Sequence, residues 1–409
     1  MPEINLQKIK RLAAAAKDKK SIFGEDIDLE NIETNKQLNI SNKIHKINPV
    51  TKKNLLYAGI DLNTEQKAGE YLQIDNSVSI CNVKQPGIEV MEINQALEKY
   101  VWLKNYFWNA VKPDTDKYTA KIALSQYSGY FIWAKKGVKT IFPVQTGLCL
   151  GHAGSTQYIH NIIIAEQGAK LQIINGCTTN DTENYGLHLA VSEFYVQKNA
   201  EISFTMIHNF GKNVNVRPRS NTIVKESGIF ISNYLCLRPV KSIQAYPTTY
   251  LIGKGAAARH NTILAAEQGT NLDIGAKVIL KAPETKAELI SRAITTGGNI
   301  TARGQLVGEI CPAKAHLECR GLLLANQGTI YAVPELIGKT AGIDLSHEAA
   351  VGKIAQEEIE YLMARGMTKD AATATIVRGF LNVGITGLPD VLKIEMDNLL
   401  NVIEEQNAS

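Results

Sequence analysis

The sequence is short of cysteine, long apolar runs and net charge, and each shortage excludes something. Its six cysteines, at positions 81, 149, 177, 236, 311 and 319 of 409 residues, are widely spaced, with no Cys-x-x-Cys pair. That spacing argues against a disulfide framework and for free thiols in a reducing cytosol, so a cytoplasmic location is expected. No apolar stretch approaches the roughly 18 residues that a membrane-spanning helix needs, so no membrane partner is expected. The N-terminus carries Glu3 and Asp18 and lacks the apolar run of a secretory signal. Forty-four Lys and Arg against 40 Asp and Glu leave a formal charge of +4. The basic residues are scattered, so no nucleic-acid surface is implied. No Gly-x-x-x-x-Gly-Lys-[Ser/Thr] loop occurs, so the chain carries no P-loop for ATP.

What is present is ordinary in bulk and unusual in pattern. A hydrophobic content of 44% with 21% charged residues suits a globular protein. The length allows two or three domains, or one elongated repeat core with appendages. The densest chemistry lies between His316-Leu-Glu-Cys-Arg320 and Ser346-His-Glu348. A thiol at Cys319, imidazoles at His316 and His347, and carboxylates at Glu318 and Glu348 offer soft, borderline and hard donors. Such a set suits iron, zinc or sulfane sulfur. A Cys three residues after a His is also what a buried small hydrophobe looks like, and spacing alone leaves both readings open.

Along the chain, residues 3–20 read as a helix with Ile4, Ile9, Leu12, Ala13 and Ala16 on one face. Residues 92–111 read as a second, with Ile93, Ala96, Leu97, Tyr100, Val101, Lys104 and Trp108 at helical spacing. From about residue 120 the texture changes to short β-rich runs. The segments Ala165-Glu-Gln-Gly-Ala-Lys-Leu-Gln-Ile173 and Ala266-Glu-Gln-Gly-Thr-Asn-Leu-Asp-Ile274 nearly repeat each other. Turn centres fall near 168, 199, 228, 269, 298 and 328, mostly about 30 apart with one longer gap. A repeat of that length built from short strands predicts a mainly β protein with a parallel β-helix core. Beyond residue 353 the pattern returns to helix. One helix over 354–365 is closed by Gly366, a second is capped by Thr368 and runs to Leu381, and a third opens at Pro389. The expected division is 1–118, a helical or mixed region; 119–350, the β-helix; and 351–409, a helical region.

With these stretches read, residues 97–385 resemble the SufB/SufD core proteins of iron–sulfur cluster assembly. The resemblance is carried by Ser128-Gly-Tyr-Phe-Ile-Trp-Ala-Lys-Lys-Gly-Val138, Ser291-Arg-Ala-Ile294, Ala302-Arg-Gly304 and His316-Leu-Glu-Cys319, in that order. Gly352-Lys-Ile354, Glu360-Tyr-Leu-Met-Ala-Arg-Gly366 and Ile376-Val-Arg-Gly-Phe380 continue it. It implies a right-handed parallel β-helix flanked by helical parts. It places Cys319 on the essential cysteine of SufB-type members, and His347 with Glu348 on their His-Glu pair. SufD-type members keep the His but usually lack the Cys and Glu, so the chain is SufB-like at these positions. It departs from SufB at Ser346, where an acid is usual, at Gly328, where a further Cys is common, and in lacking an N-terminal multi-cysteine motif. These departures suggest a short form acting without a separate SufD.

The resemblance also implies a function and partners. The expected role is a scaffold rather than an enzyme, holding a transient iron–sulfur cluster or iron at Cys319, His347 and Glu348. His316, Glu318, Cys236 and Arg217 are weaker candidates; Arg219, Glu226, Lys241 and His260 join Cys236 and Arg217 as possible lining for a sulfur route. Expected partners are a SufC-like ABC ATPase docked on about 354–405, a sulfur donor protein, and a second copy or a SufD-like paralogue. Flavin binding is left open. The alternatives are a SufD-type structural partner and a β-helix enzyme such as a polysaccharide lyase or acyltransferase. Against the last, 120–345 has no dense carboxylate cluster and no hexapeptide rhythm.

Overall fold

Short strands, each stacked in parallel on the one a turn earlier, form the interior of the chain. The computed structural model describes residues 6–29, 47–181 and 185–382. Two ten-stranded sheets make a parallel β-solenoid of about eight turns, with helices toward both termini. The first sheet includes Val144–Leu150, Lys170–Thr179, Glu201–Asn209, Ile229–Cys236, Ala257–Glu267, Thr285–Thr296, Ala313–Leu323 and Ile343–Gly352. The second includes Tyr130–Ala134, Ser155–Ala165, Tyr185–Val196, Asn213–Val224, Asn271–Leu280, Asn299–Gly308 and Thr329–Gly338. Between the fourth and fifth of these, one turn is split into Ser242–Ala245 and Thr248–Leu251. The β-helix expected from the turn rhythm is therefore present.

The corners explain the rhythm and its one irregular gap. Gly137, Gly168, Asn199, Ser227, Gly255 and Glu284 have positive φ and lie where the chain passes from the second sheet to the first. Gly269, Gly297 and Gly328 also have positive φ but lie at the return corners. The ladder read from sequence steps from one series to the other at its longer gap. The near-repeats at Ala165 and Ala266 therefore occupy opposite corners. A tight corner needs a left-handed residue, which costs an L-amino acid roughly 1–2 kcal/mol and glycine almost nothing.

Three layers of apolar packing hold the turns. Alternate residues of both sheets point inward and fill the solenoid with Ile, Val, Leu, Ala and Phe. The helix Lys117–Leu124, the helix Leu6–Ala15 and the aromatic segment around Phe107 cover the outer face of the second sheet. The helices Pro49–Tyr57 and Lys369–Leu381 cover part of the first. Near the second sheet, the buried Glu193 carboxylate accepts hydrogen bonds from the backbone N–H groups of Trp108, Ala110 and Val111. It also pairs with His160 Nε2 at 2.8 Å.

That carboxylate corrects the helix expected over 92–111. The α-helix covers only Ile93–Lys99 and passes into a 3-10 turn at Val101–Asn105. Trp102 instead packs on Phe131 and Trp133, Tyr106 on Tyr195, and Phe107 and Trp108 on His160. Trp108 takes a φ of 54°, which turns its N–H and those after it toward Glu193. A continuous helix would spend those donors on its own carbonyls. The terminal helices follow the sequence more closely. Gln356–Met363 is followed by Gly366 at positive φ, and Thr368 Oγ1 accepts from Ala371 N at 3.2 Å to cap Lys369–Leu381. The helix expected from Pro389 lies outside the described residues.

The two ends of the solenoid differ. At the N-terminal end, Ser77–Val83 pairs antiparallel with Gly69–Ile74, and Ile88–Glu92 pairs antiparallel with Tyr130–Ala134. At the other end, Ile343–Gly352 and Thr329–Gly338 are the last strands of their sheets, and among the described residues nothing pairs with their outer edges.

Candidate functional site

Cys319 sits one turn from that open end. It lies on the strand Ala313–Leu323, where Ala313, Ala315, Leu317 and Cys319 point inward and Lys314, His316, Glu318 and Arg320 point outward, as the two-residue strand period requires. Its side chain is 3% exposed and borders a small cavity with His260, Thr262, Ser291, Gly304 and Leu317. Burial pushes the thiol up to about 11, although Arg292 pulls it down. In the isolated chain it is therefore a neutral thiol at physiological pH.

The strand Ile343–Gly352 places His347 beside Leu317, Glu348 beside Glu318 and Ala349 beside Cys319. His347 thus shares the inward face with Cys319 but sits two positions back along the strand. It is exposed because this strand ends the sheet. Glu348 points to the outer face and is exposed. Within one chain, Cys319, His347 and Glu348 are close neighbours that do not converge on a single point.

The outer face carries a chain of charges. Glu318 Oε1 accepts from Arg292 Nη2 at 3.0 Å and lies 2.5 Å from Arg320 Nε. Arg320 Nη2 lies 3.7 Å from Glu348. Arg292 Nε donates to the carbonyl of Phe380 at 3.1 Å. Two stacked carboxylates would repel each other, and the arginines offset that repulsion while tying the last turns to the C-terminal helix. His316 also faces outward, with Nδ1 2.9 Å from Ser346 Oγ.

The weaker candidates lie apart. Arg217 is fully buried but points outward from the second sheet, bonding the carbonyls of Val216 and Ser242 beneath the N-terminal segment. Arg219 is beside it, with Nε 2.6 Å from Asp116. Glu226 pairs with Lys198 at a corner at 2.7 Å, and Lys241 is exposed. Cys236 and His260 do face the interior and are buried. Cys236 stands next to His208, its register partner one turn earlier.

His208 belongs to a constellation that sequence reading missed. Cys177, His188 and His208 are buried, and one ligand atom from each lies within 4.8 Å of the others. The signal in the sequence was the turn length itself. Cys177 and His208 are register partners on adjacent turns, but only a fixed register shows that they touch.

Residues 148–380 match the family described as SUF system FeS cluster assembly, SufBD core domain. An iron–sulfur cluster assembly SufBD family protein of Methanothermobacter thermautotrophicus (strain Winter) is 44% identical over 398 residues, covering 95% of this chain and 97% of that protein. A SufBD family protein of Archaeoglobus fulgidus is 44% identical over 355 residues, covering 87% of this chain and 95% of its own. One from Staphylococcus haemolyticus is 32% identical over 348 residues, covering 82% and 74%. No helix of the described residues is long and apolar enough to cross a membrane. A family match across more than half the chain and relatives spanning nearly its whole length lead to one assignment: the chain belongs to the SufBD family of iron–sulfur cluster assembly proteins.

Proposed function

We propose that the chain is the scaffold on which a cluster is built, with Cys319, His347 and Glu348 as ligands at an interface between two copies. The observation that carries this reading is the open end of the solenoid beside Cys319. Two ten-residue strands, Thr329–Gly338 and Ile343–Gly352, whose outer edges pair with nothing among the described residues, present Tyr331 at 65%, Ile337 at 42% and Val351 at 41% exposure. Unpaired edges of that length recruit further strands. A two-fold pairing of these ends would continue both sheets and bury the exposed residues. It would bring Cys319 of one copy toward His347 of the other. One thiolate with imidazole and carboxylate ligands holds iron loosely enough for the cargo to leave.

An ABC-type ATPase docked on the C-terminal helices supplies the work in this reading, since the chain has no P-loop. The surface around Tyr361 and Leu362, flanked by Glu357 and Glu358, is the described part of that docking face. The rest of the expected range, to about 405, lies outside the described residues. A pull on the helix Lys369–Leu381 reaches Glu318 and Glu348 through Arg292 and Arg320. That contact network gives nucleotide a physical handle on the interface.

Anaerobic reconstitution with ferrous iron and sulfide tests the site. Cys319→Ala and His347→Ala should each lose the cluster absorption and Mössbauer signal while staying folded. A mixed dimer of the two variants should regain one intact site, because each copy supplies the ligand that the other lacks. Full cluster content in Cys319→Ala would return Cys319 to a buried core residue and remove it from the ligand set. Failure of the mixed dimer to recover any cluster would rule out ligands shared between copies. For the ATPase, Tyr361→Asp should abolish its binding and leave self-association unchanged; unaltered binding would move the docking face elsewhere.

A further inference from the structure

Five turns from Cys319 toward the closed end, the solenoid interior holds polar atoms that no protein group satisfies. Cys177 and His188 are 0% exposed and His208 is 2% exposed. Cys177 and His208 rise from adjacent strands of the first sheet, and His188 faces them from the second. The Nε2 atoms of both histidines are buried without a hydrogen-bond partner. An orphaned buried polar atom costs about 1–3 kcal/mol. Two such atoms on histidines that share a 4.8 Å cluster with Cys177 are not what core packing alone would select.

The hydrogen bonds behind the rings indicate how those nitrogens are presented. Gln157 Nε2 donates to the carbonyls of Asp75 and Cys149, at 2.9 and 3.0 Å. That fixes the amide orientation and leaves Gln157 Oε1, an acceptor, 2.9 Å from His188 Nδ1. The proton of neutral His188 must therefore sit on Nδ1, and Nε2 presents a bare lone pair. His208 Nδ1 lies 2.7 Å from the Tyr234 hydroxyl, a partner that can hold the same tautomer. Such backing of the distal ring nitrogen is the usual support of a metal-bound histidine. Met206 Sδ, 3.8 Å from Cys177 Sγ, adds a soft fourth donor.

We propose that Cys177, His188 and His208, with Met206 beside them, bind one mononuclear transition-metal ion of the zinc or copper(I) class. The donor set decides the class. Two imidazole nitrogens, a thiolate and a thioether make a tetrahedral S2N2 site, whereas calcium and magnesium require oxygen ligands. Metal–donor bonds of roughly 2.0–2.3 Å require the three atoms to close in by up to about 1 Å, within reach of side-chain rotation. Burial keeps both imidazoles neutral, His188 down to about 3, so they bind without losing a proton. The Cys177 thiol is pushed up to about 12 by burial, and the ion displaces its proton. The balance is one thiol and one cation giving one metal–thiolate and one released proton. Because the site is sealed, the ion enters as the turns assemble and stays there. This site is independent of the cluster proposed at Cys319.

The test uses the full chain expressed in medium supplemented with Co2+, an optical stand-in. About one cobalt per chain is expected, with the tetrahedral d–d bands and sulfur-to-metal charge transfer of thiolate ligation. Cys177→Ala should lose the charge transfer, and Cys319→Ala should keep it, which separates this site from the cluster ligands. Met206→Leu leaves the three principal donors in place and should only shift the bands, so the result stays readable if Cys177→Ala fails to fold. Expression with Zn2+ or Cu+ in competition should displace the cobalt and shows which of the two the set prefers. An octahedral spectrum, cobalt well below one per chain, or unchanged charge transfer in Cys177→Ala would mean that the cluster encloses water instead.

Discussion

The two ends of the solenoid are built from the same turn and finished in opposite ways. At the N-terminal end an antiparallel strand pairs with each sheet, and the helices Pro49–Tyr57 and Lys117–Leu124 pack over the outer faces. Side chains on both faces there are sealed: inward-facing Cys177 and outward-facing Cys149, His160 and Glu193 are all 0% exposed. At the C-terminal end the inward position of His347, equivalent by register to the fully buried Leu317, is open to solvent. Adding turns is easy for a repeat, since each needs only its neighbours, but the terminal turn must be covered. Among the described residues that turn has no cover, and leaving it so is a stability cost.

The largest break in this comparison should come from the sealed end. Glu193→Ala removes the acceptor of three backbone N–H groups and of His160 Nε2. Removing one side of such a buried set costs about 3–5 kcal/mol, read as a fall in denaturant midpoint. At the open end, Glu348→Gln touches only an exposed, loosely paired carboxylate and should change stability by less than about 0.5 kcal/mol. Equal losses from the two variants would erase the distinction between the ends. Between them lies Gly304→Ala. Its added Cβ would come within 2.3 Å of Leu317 Cδ1, next to Cys319. Overpacking of this kind costs about 1–3 kcal/mol, and a midpoint unchanged from the parent would show that the small cavity there can absorb a methyl group.

How far the sequence could be read follows the same division. The β-helix was legible because its corners need left-handed residues, so Gly168, Asn199 and Gly328 mark the turns in the sequence itself. The interleaving of two corner series was not legible, since nothing in the Ala165 and Ala266 segments says which sheet precedes each. The aromatic segment at 102–108 misled because its helical spacing competes with a long-range acceptor, Glu193, that no local pattern reveals. Cys319, His347 and Glu348 stood out through resemblance to a family, and the register makes them neighbours. Their convergence would require a second chain, which no single sequence displays. Cys177, His188 and His208 fall on three different strands and meet only once the turn length is fixed.

The smallest perturbation is to label the thiols of the unmodified chain. Cys81 and Cys311 are exposed, and Cys149, Cys177, Cys236 and Cys319 are buried, so two fast and four slow thiols are expected. The slow class should split. Cys319 needs only the last turn to open, whereas Cys149, Cys177 and Cys236 lie among packed turns and need an unfolding closer to global. Low denaturant should therefore speed the latter three steeply and Cys319 very little, because the denaturant slope follows the surface exposed on opening. Self-association through the open end should slow Cys319 alone. The pH dependence carries the same ordering. Burial raises the folded thiols above the roughly 8.5 of an unfolded cysteine, Cys319 to about 11 and Cys236 to about 12. The unfolded chain then loses protons that the folded chain keeps, so stability is intact below about 8.5 and falls as pH rises. The contribution of Cys319 should be fully lost once pH passes about 11, before that of Cys236 near 12. One shared labelling rate and one shared denaturant slope for all four buried thiols would mean that the end beside Cys319 is as firmly closed as the rest.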